Sequence, residues 1–207
     1  MMEPDWLAPS MPAAETELLT KAYRAADVIL EYGSGSSTAI ASGMRDKLIF
    51  SVESDIEWAL RLQQEIYRRK FPSPAVVYHV NVGETGKWGR PLDGSQWRWF
   101  SRYATAIWSE PFFRDPDVVL IDGRLRLGCL AAVAMGIRKK TTVLFDDYVS
   151  RPLYMRRNEL AQPDEIIGRM ARFTLEPGMV KAENFTNVVD MFSMMSMVGK
   201  SGPAYYG

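Results

Sequence analysis

The sequence predicts an α/β fold, an open and mostly parallel sheet with helices on both faces, and three observations predict it. Apolar runs that stop at acidic residues recur at 28–31, 48–53, 118–122 and 141–147. They are continuous rather than alternating, which marks strands buried on both faces. Helix-forming segments stand between them, as parallel strands require of their crossovers. The first run also turns at once through Gly33 and Gly35 into a further helical segment.

Helix formers with an apolar face at Leu18, Leu19, Ala22 and Tyr23 predict a helix over 13–26 that leads into the first strand at Val28. A helix over 36–44 follows the glycine turn, its N-terminus toward any ligand there. The second strand is 48–53, and the next helix, 55–71, is stopped by Pro72 and Pro74. The third strand is 75–82. Gly83, Gly86, Gly89, Pro91 and Gly94 then punctuate an irregular stretch. Residues 96–109 read as a strongly aromatic helix, and the insert as a whole, about 83–112, is expected to form a substrate lid. The fourth strand is 118–122, its helix 125–136, and the fifth strand 141–147. A sixth strand is expected over 166–175. A seventh, returning antiparallel, is expected over 188–198, where Met191, Met194, Met195 and Met197 read as core filling. The tail, 199–207, is expected to be loose, and the chain to form one domain.

Composition narrows the class. Twenty-five basic and twenty-five acidic residues leave no net charge, so nothing electrostatic argues for a nucleic-acid partner. The basic clusters Arg68-Arg69-Lys70, Arg138-Lys139-Lys140 and Arg156-Arg157 read as solvated helix ends. Cys129, the only cysteine, excludes an internal disulfide and reads as a buried, inert thiol. The acidic start Met1-Met2-Glu3-Pro4-Asp5 does not read as a secretory signal, and no run is long enough to span a bilayer. A cytoplasmic protein without a membrane partner is expected.

The glycine turn carries the first functional information. A strand, a glycine turn, a helix and a second strand tipped by Glu53, twenty residues after Gly33, is how an open sheet holds a nucleoside. The turn lets a ligand approach bare backbone, and the carboxylate accepts hydrogen bonds from ribose hydroxyls. A dinucleotide fingerprint would place a third glycine where Thr38 stands. Glu31, two residues before Gly33, would repel a pyrophosphate but suits a cationic amino-acid group such as the ammonium of S-adenosylmethionine.

At these residues the chain resembles the class I S-adenosylmethionine-dependent methyltransferases. Leu30-Glu31-Tyr32-Gly33-Ser34-Gly35 is similar to their first motif, and Val52-Glu53-Ser54-Asp55 to their second; the third glycine often found at the Ser37 position is absent. The resemblance covers residues from about 13 to about 175. It implies a Rossmann-like, mostly parallel seven-stranded sheet with helices on both faces. It further implies that Glu31, Gly33, Ser34 and Gly35 lie at the methionine end of the cofactor, Glu53 and Ser54 at the ribose, and Asn81 at the adenine edge.

Ligands of open sheets sit beyond the carboxyl ends of the strands, which here carry Glu31, Glu53, Asn81, Asp122 and Asp146-Asp147. Asp122, Asp146 and Asp147 resemble the acids that hold magnesium in catechol-type and macrocin-type O-methyltransferases. They are the candidate Mg2+ ligands, with Asp122 also at the cofactor and Asp122 and Asp146 as catalytic candidates. The lysine that catechol-type enzymes carry shortly after the fourth-strand acid is replaced by Arg124, a poor general base suited to an anionic substrate group. Trp88 and Tyr148 complete the expected substrate pocket. His79 reads as a structural residue inside the third strand, and Trp99 and Tyr103 as core-facing helix residues. The resulting expectation is methyl transfer to a small molecule, with oxygen favoured as acceptor atom. A non-catalytic nucleoside-binding or scaffold protein is the alternative. A nicotinamide-dependent oxidoreductase would share Glu53, but Glu31 and the missing glycine count against it.

Overall fold

A computed structural model describes residues 7, 8 and 10–195 of the chain. Its helices are α1 (Ala13–Ala25), α2 (Ser36–Ser42), α3 (Ile56–Arg69), α4 (Phe100–Thr105), α5 (Arg126–Gly136), α6 (Pro152–Arg157) and α7 (Phe185–Phe192). Its strands are β1 (Val28–Tyr32), β2 (Leu48–Glu53), β3 (Ala75–His79), β4 (Thr85–Gly86), β5 (Arg90–Pro91), β6 (Val118–Ile121), β7 (Thr141–Phe145), β8 (Glu165–Ile167) and β9 (Met170–Leu175). Seven of them form one sheet in the order β3-β2-β1-β6-β7-β9-β8, while β4 and β5 pair as a small hairpin. The five strands from β3 to β7 run parallel, and β9 pairs antiparallel with β7 and with β8. This is the expected Rossmann-like sheet.

Alternation along the buried strands sends side chains to two cores. Leu30, Tyr32, Phe50, Val52, Val119, Ile121, Val143 and Phe145 face one side, which α4, α5 and α7 cover. Ile29, Ile49, Val118, Leu120 and Leu144 face the other, against Leu18, Leu19 and Tyr23 of α1, Ala39 and Ala41 of α2, and Leu62 and Ile66 of α3. Burying both faces is what the continuous apolar runs require, since each such side chain contributes roughly 1.5–3 kcal/mol.

The C-terminal third differs from expectation. The single strand expected over 166–175 is a hairpin, β8 and β9, turning at Gly168, whose φ is +56°. The turn is pinned from outside: Glu15 of α1 accepts the Arg169 N–H at 2.9 Å, and a Cβ at Gly168 would lie 2.1 Å from the Glu15 carboxylate. In the described part of the expected seventh strand, residues 188–192 belong to helix α7 and 193–195 lie beyond its end. Val188 and Met191, three residues apart on α7, are buried while Val189 between them is exposed, so the period is that of a helix and not of a strand. Met197, the remainder of that segment to Val198, the tail 199–207 and the acidic first residues lie outside the described residues.

Strands β3, β6 and β7 end one to three residues before the expected boundaries, which frees Asn81, Asp122, Asp146 and Asp147 to stand in loops. The expected aromatic helix is α4 flanked by two 3-10 turns. Tyr103 is buried as expected, whereas Trp99 is 46% exposed, because the first of these turns swings it away from the sheet. No described helix is long and apolar enough to cross a membrane.

Candidate active site

The glycine turn leaves the end of β1 with Gly33 at φ +100°, a left-handed conformation that strains any residue with a side chain. Gly123, after β6, packs directly against it: a Cβ built on Gly33 would lie 2.7 Å from Gly123 backbone atoms. The turn is fixed at three further points. Gly33 donates its N–H to the Val52 carbonyl at 2.9 Å, Gly35 to the Thr38 hydroxyl at 3.0 Å, and the Trp58 indole donates to the Ser34 carbonyl at 2.9 Å. Thr38 thus has a reason to stand where a dinucleotide fingerprint has glycine: its hydroxyl also donates to Glu31.

The two acids of the turn occupy different environments. Glu31 is fully buried beneath the loop, its carboxylate accepting from the hydroxyls of Tyr23 at 2.6 Å, Ser51 at 3.1 Å and Thr38. Burial raises its pKa, and these hydrogen bonds oppose the rise. Glu53 sits at the edge of the sheet. Its Oε2 accepts the Ser34 N–H at 3.2 Å, and its Oε1 accepts the N–H groups of Ser54 at 2.7 Å and Asp55 at 3.0 Å. Burial raises this pKa too, against the same kind of donors. The hairpin of β4 and β5 folds over it: Ser54 donates its hydroxyl to the Gly89 carbonyl at 2.8 Å, and Gly89 has no room for a Cβ against Ser54 and Glu53.

Beside Glu53 a cleft of about 910 Å3 opens along the ends of β2 and β3, lined by Ser54, Asp55, His79, Asn81 and Val82 among others. Its size is that of a small-molecule site. The Asn81 side-chain oxygen accepts the Gly83 N–H at 2.8 Å, leaving its NH2 group as a donor toward the cleft. His79 differs from expectation: it is the last residue of β3, in register with Glu53, and lines the cleft half-exposed.

The three aspartates do converge, but on arginines. The buried Arg126 guanidinium lies 2.8 Å from Asp122 Oδ1 and 3.2 Å from Asp147 Oδ2, and donates to the Asp146 carbonyl at 2.6 Å. Arg169 holds both oxygens of Asp146, at 2.9 and 2.8 Å, and Arg151 meets Asp147 at 2.9 Å. A hard cation needs several free carboxylate oxygens. These are taken by guanidinium groups whose charge repels it, so Asp122, Asp146 and Asp147 do not fit the expected Mg2+ site. Among the described residues no group of three or more acidic, histidine or cysteine side chains could hold a metal. Asp146, 1% exposed and bound in two places by Arg169, braces β7 instead of facing a ligand. Burial pushes the Asp122 pKa up to about 7, Arg126 opposes this, and Asp146 and Asp147 add to it.

Of the expected substrate residues, Arg124 lines a second pocket, between the start of α5 and α6. Tyr148 is 3% exposed, accepts from Asn158 at 3.0 Å and packs on Phe145 and Phe173, so its ring belongs to the core. Trp88 is 71% exposed at the tip of the small hairpin with Lys87 above its ring, at φ +66°, and lines neither pocket. Trp58, Gly123, Arg126 and Arg169 were not expected at the site. Gly123, adjoining Asp122, and Arg126, four residues after it, had a local sequence signal; Trp58 and Arg169 are placed by tertiary packing.

The site is thus a bare-backbone glycine turn, a carboxylate and a cleft on the C-terminal edge of a seven-stranded sheet, the edge at which proteins of the open α/β class hold their ligands. No protein-family model and no curated protein matches the sequence. Among solved structures, a methyltransferase-like protein from Silicibacter pomeroyi is 38% identical over 90% of this chain and 97% of its own, with a TM-score of 0.83. More distant structures share the fold. The O-methyltransferase TomG from Streptomyces achromogenes, solved in complex with SAM, is 19% identical over 83% of this chain and 82% of its own, with a TM-score of 0.52. A methyltransferase from Geobacter sulfurreducens is 10% identical over 81% of this chain and 82% of its own, also with a TM-score of 0.52. The chain belongs to the class I S-adenosylmethionine-dependent methyltransferase family.

Proposed function

We propose that the protein transfers a methyl group from S-adenosylmethionine to a small molecule. The observation that carries this reading is the convergence of the Gly33–Gly35 turn, Glu53 and the adjoining cleft on one sheet edge. In it, Gly33, Ser34 and Gly35 offer backbone to the methionine end and Glu53, beside Ser54, takes the ribose hydroxyls. The Asn81 NH2 group takes the adenine edge. Glu31 acts from beneath, locking Thr38 and Ser51 and lending negative potential that suits an ammonium group. Gly89 must leave Glu53 for the ribose to enter, which makes the small hairpin the lid of the site.

When bound, S-adenosylmethionine supplies a methyl group on a sulfonium. The residues of the chain align the acceptor, exclude water and remove a proton. An acceptor oxygen is favoured because Asp122, with its pKa near 7, is matched to taking a proton from a hydroxyl at neutral pH. The seat of Gly89 on Glu53 is also what supports the rival reading, a non-catalytic scaffold of the same fold. Titration calorimetry with S-adenosylmethionine, S-adenosylhomocysteine and NAD separates the two. Selective binding of the adenosyl ligands is expected, and no binding to a folded sample would overturn the proposal.

A further inference from the structure

We propose that a cationic pocket at the C-terminal end of β6 receives an anionic group, carboxylate or phosphate, of the methyl acceptor. As the acceptor's seat it rests on the methyltransferase reading above. The pocket encloses about 330 Å3 between the start of α5 and α6, and its walls include Gly123, Arg124, Arg126, Arg151, Tyr154 and Arg156. Four guanidinium groups in so small a space would repel one another unless compensated. Two are compensated: Arg126 by Asp122 and Asp147, and Arg151 by Asp147.

Arg124 is not compensated. It is 8% exposed, its Nε is buried without a hydrogen-bond partner, and it forms no ion pair among the described residues. Burial lowers its pKa, Tyr103 opposes this, and the neighbouring charges of Arg126 and Arg90 lower it further. Arg90, on the small hairpin that packs on Ser54 and Glu53, also buries an Nε without a partner. A buried, unpaired guanidinium is among the costlier things a fold can retain, and an anion delivered into the pocket removes that cost. A planar guanidinium suits carboxylate or phosphate oxygens.

The position of the pocket assigns the anion to the acceptor. Strand order reverses between β1 and β6. Glu53, Asn81 and the large cleft lie on the β1-β2-β3 side of that switch, whereas the arginine pocket lies on the β6-β7 side. Two ligands meeting at the switch point then bring their reacting groups together over Gly33 and Gly123.

The test uses inorganic phosphate at fixed ionic strength as probe, and the thermal midpoint as readout, with S-adenosylhomocysteine titrated in parallel. Phosphate is expected to raise the midpoint of the wild-type protein saturably, and Arg124→Met to abolish the rise while Arg124→Lys keeps part of it. Without phosphate, Arg124→Met is expected to melt no lower than wild type, since it removes an unpaired charge. Arg156→Gln, at an exposed position on the pocket wall, is expected to weaken the phosphate response several-fold without affecting folding. Equal phosphate responses in wild type and variants would overturn the proposal. So would competition between phosphate and S-adenosylhomocysteine with a tenfold weaker cofactor in Arg124→Met, which would assign the anion to the cofactor. Failure of S-adenosylhomocysteine to bind wild type, with the Arg124-dependent phosphate response intact, would remove the methyltransferase reading and leave the anion site supported.

Discussion

The backbone N–H of Ser34 donates to Oε2 of Glu53 at 3.2 Å, across nineteen residues of sequence. The glycine turn and the acid that ends β2 are therefore one unit: the carboxylate holds the turn in shape, and the turn helps keep the carboxylate charged. A ligand that takes Glu53 must replace or share these donors, so its affinity reports on the turn as well as on the acid.

Replacing Glu53 by Ala is expected to weaken S-adenosylhomocysteine binding about 10- to 100-fold, the value of charge-assisted hydrogen bonds to two hydroxyls. Circular dichroism should remain that of the wild type. Glu53→Gln, which keeps a carbonyl for Ser34, should lose less. Unchanged affinity in calorimetry would remove Glu53 from the ribose.

Gly123→Ala tests the contact beneath the turn. Its Cβ would lie 2.0 Å from the Tyr103 hydroxyl and 2.7 Å from the Gly33 nitrogen. Overpacking of this kind costs about 1–3 kcal/mol, so the unfolding free energy from denaturant titration should fall by that amount, the midpoint should fall with it, and cofactor affinity should fall as well. A variant as stable as wild type would mean that the two loops separate easily.

Asp122 should titrate near pH 7, which carbon-13 NMR of its carboxyl group can follow. The folded state favours its protonated form, so this contribution to stability is full below about pH 4, the usual carboxylate range, and is lost as pH rises through about 7. Stability measured between those values should therefore fall with pH, and fall less in Asp122→Asn. The catalytic consequence has the opposite sense: a base must be unprotonated, so turnover should rise with pH toward 7 and drop at least about 100-fold in Asp122→Asn. Titration near 4 would exclude this residue as the base.

The Asp146–Arg169 pair makes the case against magnesium testable. Arg169→Met leaves Asp146 buried without its bidentate partner, and a loss of about 2 kcal/mol or more is expected, below the full buried-pair value because Arg169 is partly exposed. Chelation with EDTA should leave cofactor affinity and turnover unchanged. A requirement for Mg2+ would show that the arginines give way to a cation.

The sheet was legible because its strands are buried on both faces, and burial writes a continuous apolar run such as Val118 to Ile121 into the sequence. The glycine turn was legible for a similar reason, since a positive φ at Gly33 restricts what can stand there. The hairpin at Gly168 was not, because its turn is held by Glu15, more than 150 residues away in sequence. Val188 and Met191 were misassigned because a short apolar run fits a strand or a helix alike until a partner, here α5, selects the period.

Sequence by itself determined which residues reach the C-terminal edge of the sheet: Glu31, Glu53, Asn81, Asp122, Asp146 and Asp147 all end runs whose apolar character is local. Only the tertiary structure decided what each of them does there. The aspartates read alike in sequence as metal ligands, yet Arg126 at the start of α5, Arg151 just before α6 and Arg169 in the turn between β8 and β9 neutralise them. Arg124, one residue from Gly123, is left without a partner. Arg126 and Arg151 stand only four residues from Asp122 and Asp147. Whether that spacing closes into ion pairs, and whether Arg169 reaches Asp146 across twenty-three residues, depends on how the loops fold, which no local pattern records.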